Sequence, residues 1–476
     1  MELKYMNDNF RGAYRFFNKW EKSMNTGMLL LIVAVVAIVI ANSPWGPAYQ
    51  TLLATELHLG TESFNFLSQG GEPMTLLGFI NDALMAIFFL SVGLEIKREM
   101  LVGELSSFRQ VLLPFIAACG GMIFPVVVFY FTGQMQSFSP DEMRGMAIPM
   151  ATDIAFSLGV LSLFSNRVPL SLKVFLLALA IVDDIGGIIV IAIFYSSLST
   201  ASLVFLGVAA AAFIILILGG RLKINSKVFS AVFGIVIWWA FLQAGIHPTI
   251  AGVIVAFTIP ARPYTNLKRY TKGMHKALDL LEEVEPYDKD KDPNDILLTN
   301  TEIKILSIME KASDRVISPL QNIEDSIHRP VNYFIMPLFA FANAGVILNF
   351  SGGWSMLTGV SLAVMAGLII GKPLGIFLFT WLAVKLKVSP MPTESNWKGV
   401  FGIALLGGIG FTVALFLASL SYPVGSDLLN QARLGILLGS FISGIIGFIY
   451  LNKILPKTGE KWNLPRVRRQ PETDQD

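Results

Sequence analysis

The feature that most constrains this chain is a succession of apolar segments, about twelve of them, each long enough to cross the ~30 Å hydrocarbon core of a bilayer. They fall near residues 25–42, 77–97, 110–132, 145–164, 170–195, 201–219, 227–243, 246–260, 330–350, 357–383, 399–420 and 431–452. Hydrocarbon offers backbone N–H and C=O groups no partner, so a crossing segment must satisfy them itself, and a helix is the default way. The expected fold class is an all-α membrane protein of about twelve transmembrane helices. Composition supports this: only 15% of the 476 residues are charged and 54% are hydrophobic, where a soluble domain carries roughly 25% charged residues. Too few charges remain to coat a water-facing surface.

Lysine and arginine in the connecting segments test the span count independently. They cluster in the N-terminal stretch (Lys4, Arg11, Arg15, Lys19, Lys22) and vanish from 43–76. They return at Lys97, Arg98 and Arg109, then again at Arg167 and Lys173, at Arg221, Lys223 and Lys227, and at Lys385, Lys387 and Lys398. The intervening loops at 196–200, 244–245 and 349–356 have none, and the chain ends with six cations between Lys453 and Arg469. This alternation predicts both termini in the cytoplasm. Net charge is +2, which gives no bias toward nucleic acid as a partner. The single cysteine, Cys119, lies in an apolar stretch and rules out an intrachain disulfide. No small-residue cleavage site follows the first apolar block, so Gly27 to Ala41 is read as a retained span rather than a leader.

The expected organisation is a basic N-terminal segment (1–24), spans one to eight (25–260), a charged insert (261–329), spans nine to twelve (330–453) and a tail (454–476). In the first segment Phe10, Tyr14 and Phe17 share a helical face among Arg11, Arg15 and Lys19, which suits a helix lying at the membrane interface. The insert carries an acidic run from Glu282 to Asp295 between two helical patterns. The second pattern opens with Thr299 and Glu302 at capping-box spacing, and a cytoplasmic helical hairpin is expected.

Ionisable groups inside spans are costly and usually face a cavity or a partner. Four stand out: Asp153, Asp183, Asp184 and Lys372. At about 1.5 Å per residue, Asp153 and Asp183 each lie about 15 Å into their spans, near the midplane of a ~30 Å core. Lys372 falls at similar depth. Adjacent helical residues point about 100° apart, so Asp183 and Asp184 cannot face one point. One can meet a cation while the other meets Lys372. Apolar surroundings favour the neutral form of acids and lysines alike, and such groups titrate as a coupled set. A group near neutrality can lose its proton to a change of pH or to an arriving cation, which is what exchange requires. Helix-loosening residues accompany the charges: Pro149 and Thr152 before Asp153, Gly371-Lys372-Pro373 in the tenth span, and Gly407-Gly408-Ile409-Gly410 in the eleventh. Broken helices at the midplane are how secondary transporters present dipoles and carbonyls to ions.

With these residues in view, the chain resembles the NhaA family of bacterial sodium/proton antiporters. The matching strings are GLEIKRE (93–99), IPMATDIAF (148–156), LALAIVDDIGGIIV (177–190), GIHPTIAGVIVAF (245–257), MPLFAFANAGV (336–346), GKPLGI (371–376) and GGIGFTVALF (407–416), in order through nearly all spans. The resemblance implies an inverted-repeat transporter whose fourth and eleventh spans are broken and cross. It implies that Asp183 and Asp184 carry the ions and protons, with Asp184 the primary sodium ligand beside Thr152 and Asp183 the partner of Lys372. Asp153 matches the acid between the ends of the two broken helices, and is expected with Asp183, Asp184, Thr152 and Lys372 among the ion- and proton-binding residues. Sodium or lithium would exchange for protons electrogenically, activated at alkaline pH, with no cofactor. Glu95, Arg98, Glu99 and Glu324 match a cytoplasmic pH-sensing cluster, and His247 matches a histidine near the outer end of the eighth span. Asp82 matches an INDALM pattern whose role stays open, and His328 is read as a loop residue. The implied setting is the bacterial inner membrane, with homodimerisation through the first outer loop.

Two readings from other classes remain for comparison. An intramembrane aspartyl protease also needs two membrane aspartates for acid–base work, but its Gly-x-Gly-Asp pattern is missing and a midplane lysine has no place in that chemistry. An ion channel would carry a repeated filter loop, and the sequence has none.

Overall fold

The computed structural model describes residues 26–61, 64–69, 72–103, 108–164, 167–196, 202–222, 224, 226–263, 265–284, 300–348 and 358–456. The amphipathic segment around 10–19, the capping position at 299, the acidic run from 285 onward and the tail beyond 456 lie outside the described residues.

In chain order the helices are α1 (Thr26–Ala41), α2 (Gly46–Leu53), α3 (Leu76–Val102), α4 (Phe108–Met135), α5 (Pro140–Met150), α6 (Ile154–Ser162), α7 (Leu170–Phe194), α8 (Ser202–Arg221), α9 (Lys227–Ala244), α10 (Thr249–Thr258), α11 (Leu267–Val284), α12 (Asn300–Val316), α13 (319–343), α14 (Val360–Lys385), α15 (Trp397–Gly407), α16 (Phe411–Ser421) and α17 (Asp427–Ile454). Seven of them, α3, α4, α7, α8, α9, α14 and α17, are long and apolar enough to cross a membrane. Up to ten spans result if each bent pair, α1–α2, α5–α6 and α15–α16, counts as one. The remaining two expected segments coincide with α10, apolar but only 10 residues long, and with the C-terminal part of α13.

Local chemistry explains where these helices start and loosen. Side chains of Thr75, Ser226, Ser318, Asn396 and Ser426 accept from a backbone N–H of the first turn, as N-caps do. Ser139 and Glu142 form a reciprocal capping box ahead of α5. A widened π-type turn spans Val331–Ile335 in α13 and Gly367–Gly371 in α14. In each case a proline follows, Pro337 or Pro373, whose missing N–H and bulky ring displace the carbonyl four residues back. The loosening expected around Gly371-Lys372-Pro373 is that turn.

Helix contacts at the centre are backbone to backbone. A side chain on Gly120 of α4 would bring its Cβ to 2.3 Å from the carbonyl oxygen of Gly375 in α14. A Cβ on Gly252 of α10 would come to 2.1 Å from Ala86 O in α3. Small residues admit this approach in a membrane, where packing rather than hydrophobicity drives association. Buried apolar side chains form two principal clusters. The larger joins α1, α4, α7 and α13 to α17, the smaller surrounds α8, α9 and α10, and α3 contributes to both.

Two short antiparallel strand pairs, Gly60–Thr61 with Phe64–Asn65 and Ser68–Gln69 with Glu72–Pro73, occupy the first loop. They are pinned to α9, where Trp239 Nε1 donates to Phe66 O at 3.2 Å and Gln243 Nε2 to Ser68 O at 2.8 Å. In the insert, α11 and α12 lie together, with Tyr270 and Ser313 hydroxyls 2.9 Å apart.

Candidate functional site

The site is built around two helix breaks. The first separates α5 from α6 with a bend of 44°, and the second separates α15 from α16 with a bend of 43°. At the first, Pro149 sits in a tight last turn, Ala151 is extended, and Asp153 starts α6 as its N-cap. A broken helix leaves orphan carbonyls at one end and orphan N–H groups at the other. Here the two breaks satisfy one another. Asp153 N donates to Ile409 O at 2.7 Å, Thr152 Oγ1 to Gly407 O at 3.0 Å, and Ser157 Oγ to Leu406 O at 3.0 Å.

The Asp153 carboxylate serves both breaks. Its Oδ1 accepts from Phe156 N at 2.9 Å, capping α6. Its Oδ2 accepts from Thr412 N at 3.1 Å and Thr412 Oγ1 at 2.5 Å, capping α16. Two helix N-termini, each carrying partial positive charge, thus share one buried acid.

The paired aspartates sit on α7, at the level of these breaks. Lys372 is fully buried, and its Nζ donates to Asp183 Oδ2 at 2.6 Å and also to Met150 O beside the first break. Asp183 Oδ1 is buried with no hydrogen-bond partner among the described residues. Asp184 points elsewhere, as the helical twist between neighbours requires. It lines a cavity of about 260 Å³ together with Thr152, Asp153, Thr412, Ser91 and Glu95. Among the described residues none hydrogen-bonds or ion-pairs with its carboxylate, and the residue is 6% exposed. Thr152 therefore shares the cavity with Asp184 while its hydroxyl is committed to Gly407 O.

The charged residues matched at the end of α3 also come together. Arg98 pairs with Glu324 of α13 through Nη1 and with Glu99 through Nη2, the latter at 3.2 Å. Burial pushes the Glu324 carboxyl above the ordinary glutamate range, against the opposing pull of Arg98. Glu95, one turn earlier on α3, lines the Asp184 cavity and so joins this cluster to the aspartates. His328 corrects the loop reading: it lies within the helical stretch Pro319–Pro330 and lines the same cavity. The helix runs through Pro330 into the π-type turn.

His247 stands apart from that cluster. It precedes α10, with Nδ1 2.8 Å from Thr249 Oγ1 and Nε2 3.6 Å from Asp82 Oδ1. His58 lies near Glu56 on the surface, at 3.6 Å, and His275 is exposed on α11.

Several polar residues at the breaks escaped the sequence reading: Thr412, Ser157, Ser440 and Ser443. A lone hydroxyl on an apolar helix gives no signal by itself. The available hint was placement: Thr412 lies two residues after the Gly407 to Gly410 run, and Ser440 and Ser443 share one face of α17 with Gly439, Gly444 and Gly447.

Comparison with known proteins supplies a family. A sequence profile described as "Na+/H+ antiporter 1" matches residues 17–451. The chain is 54% identical over 442 residues to the Na(+)/H(+) antiporter NhaA of Bacteroides thetaiotaomicron, covering 91% of this chain and 96% of that one. It is 48% identical over 457 residues to the protein of the same name from Phocaeicola vulgatus, covering 96% and 98%. It is 41% identical over 431 residues to the one from Sulfurimonas denitrificans, covering 90% and 93%.

Proposed function

The chain belongs to the Na+/H+ antiporter family, and from that premise we propose that it exchanges sodium, or lithium, for protons by alternating access at Asp183 and Asp184. It is a membrane transporter and not an enzyme. The observation that carries the residue assignment is the division of labour between neighbouring acids: Asp183 is bonded to Lys372 at 2.6 Å, and Asp184 is directed into a cavity.

Asp184 is the sodium ligand, with Thr152 at the cavity wall. Asp183 and Lys372 form the partner pair that exchanges a proton as the cation arrives or leaves. A bare cation in apolar surroundings would be far too costly, so it binds where a carboxylate gives up its proton in return. Asp153 does not meet the cation directly in this scheme. It offsets the positive ends of α6 and α16 and holds the two breaks in register. Sodium and protons are cargo, and no cofactor enters the cycle.

The twelve-span arrangement supports this reading when each bent pair and the two shorter helices count as spans. Spans four (α5–α6) and eleven (α15–α16) then cross at their breaks within inverted repeats, an arrangement already known for this family. The lysine and arginine alternation puts both termini, Arg98 and Glu324 in the cytoplasm of a bacterium, beneath its inner membrane. The Asp184 cavity then opens on the cytoplasmic side, past Glu95 and His328. Glu95, Arg98, Glu99 and Glu324 form the pH-responsive cluster there, His247 contributes from the opposite side, and exchange is electrogenic and rises at alkaline pH. Homodimerisation would use the strand pairs of the first loop.

The test is sodium-dependent dequenching of a pH-gradient dye in everted vesicles, for the parent chain and Asp184→Asn. A sodium pulse is expected to collapse the gradient with the parent and to do nothing with the variant, at equal amounts of inserted protein. Undiminished exchange in Asp184→Asn would remove that residue from the mechanism.

A further inference from the structure

We infer that Ser440 and Ser443 of α17 are positioning residues for the ion site, because their hydroxyls hydrogen-bond both helix ends where the eleventh span breaks. The interruption at 408–410 strands carbonyls at the end of α15 and N–H groups at the start of α16. The α5–α6 pair takes Leu406 O, Gly407 O, Ile409 O and Thr412 N. From the other side α17 adds three hydrogen bonds to the same break. Ser440 Oγ accepts from Gly410 N at 3.2 Å and Phe411 N at 3.1 Å. Ser443 Oγ donates to Leu405 O at 2.7 Å, a carbonyl that also accepts from Gly408 N at 3.1 Å.

The two serines are three apart on one helix, so they lie on one face. That face fits the break closely: a Cβ on Gly408 would come to 2.3 Å from Ser443 Oγ. Ser440 therefore acts as an N-cap supplied by a neighbouring helix, since Gly410 has no side chain to cap α16 itself. Asp153 takes the next N–H, that of Thr412, so acid and hydroxyl divide the first turn of α16 between them.

The same helix also packs against α14, which carries the partner of Asp183. A Cβ on Gly435 would come to 2.6 Å from Ser361 O in α14, the helix that carries Lys372. So α17 is a strut between the eleventh-span break and the Lys372 helix. Without the Ser440 hydroxyl, the first turn of α16 frays, and Thr412 is no longer held against Asp153 at the wall of the Asp184 cavity. The serines touch no ion; they act through Thr412.

The transport arm of the test rests on the exchange reading above, and a structural arm does not. Full-length parent, Ser440→Ala, Ser440→Cys and Ser440→Thr are compared in nanodiscs by amide hydrogen exchange resolved over 405–416. In proteoliposomes they are compared by sodium-driven proton flux. Losing one helix cap is expected to speed exchange at Gly410 and Phe411 by about fivefold in the Ala and Cys variants. Their apparent sodium KM rises by a similar factor with a smaller change in kcat, and Thr restores both. Unchanged protection of Gly410 and Phe411 in Ser440→Ala would overturn the inference. So would a Thr variant as defective as Ala, because it would reduce the contact to packing volume. A parent that moves no protons in response to sodium sinks the exchange reading, while the amide data still decide the capping.

Discussion

Asp153 offers the sharpest test of the broken-helix arrangement, because its carboxylate carries three hydrogen bonds from two helices. Asp153→Ala removes an N-cap from α6 and another from α16, each worth about 1 kcal/mol. It also leaves the buried Thr412 hydroxyl unpaired, at about 1–3 kcal/mol. The expected loss of stability is about 3–5 kcal/mol. Asp153→Asn keeps one acceptor oxygen for one helix and presents an amide donor to the other, where Thr412 Oγ1 can accept it. That variant loses about one cap, roughly 1–2 kcal/mol. Unfolding in mixed detergent–denaturant micelles should therefore order the proteins parent, Asn, Ala. Exchange in vesicles should follow the same order, with Asn retaining measurable flux because the residue positions helices rather than binding sodium. The reasoning fails if Asp153→Ala unfolds within about 1 kcal/mol of the parent. It fails equally if Asn abolishes flux as completely as Ala while remaining the more stable of the two.

The other predictions concern the partners of the aspartates. Lys372→Ala leaves Asp183 and Met150 O without their buried cation, and breaking such a pair should cost about 3–5 kcal/mol in the same unfolding assay; an unchanged midpoint would dissolve the pairing. Gly375→Ala forces α14 away from Gly120 of α4. Overpacking of this kind costs about 1–3 kcal/mol, and the displaced Lys372 should lower flux in vesicles beyond what the stability loss explains. Glu324→Gln fixes the neutral form of a carboxyl that burial holds above the ordinary glutamate range. A carboxyl raised by folding stabilises the native state below its unfolded pKa, and that contribution is lost as pH rises through the folded value. The variant should thus lose no stability at alkaline pH and show a flatter stability profile above about pH 4 than the parent. A steeper profile in a pH series of melting curves would reverse the assignment.

The spans were legible because a bilayer imposes one length scale on every crossing segment, and apolar runs report it directly. Each of the seven long helices overlaps an expected segment, as do α1, the α5–α6 pair and the α15–α16 pair, whereas α2 (Gly46–Leu53) lies outside every one of them. The break at Asp153 was also marked, by Pro149 and by the switch to Thr152-Asp153 in an otherwise apolar run. The strand pairs at 60–73 were not legible. Their residues are short, mixed in polarity and without an alternating run, and they are held by Trp239 and Gln243, more than 150 residues away in sequence. The helical course of His328 was not legible either. The helix that carries it runs on through Pro330 into the π-type turn at Val331–Ile335, so that α13 continues.

Within the site, charge was legible and its satisfaction was not. Asp153, Asp183, Asp184 and Lys372 announce themselves, since an ionisable group in an apolar span demands an explanation. The residues that make those charges tolerable are hydroxyls and backbone carbonyls. Thr412, Ser440, Ser443 and Met150 O matter only because a second helix break, a neighbouring helix or a lysine comes within about 3 Å, the reach of a hydrogen bond. Such contacts join residues separated by 29 to 259 positions. The same distinction bears on mechanism. Four charges declare that ions are handled, but which acid is spoken for and which faces the cavity depends on the hand of α7 relative to Lys372. Asp183 and Asp184 are interchangeable in composition. One helical step of about 100° separates a carboxylate held by a buried lysine from one that lines the cavity.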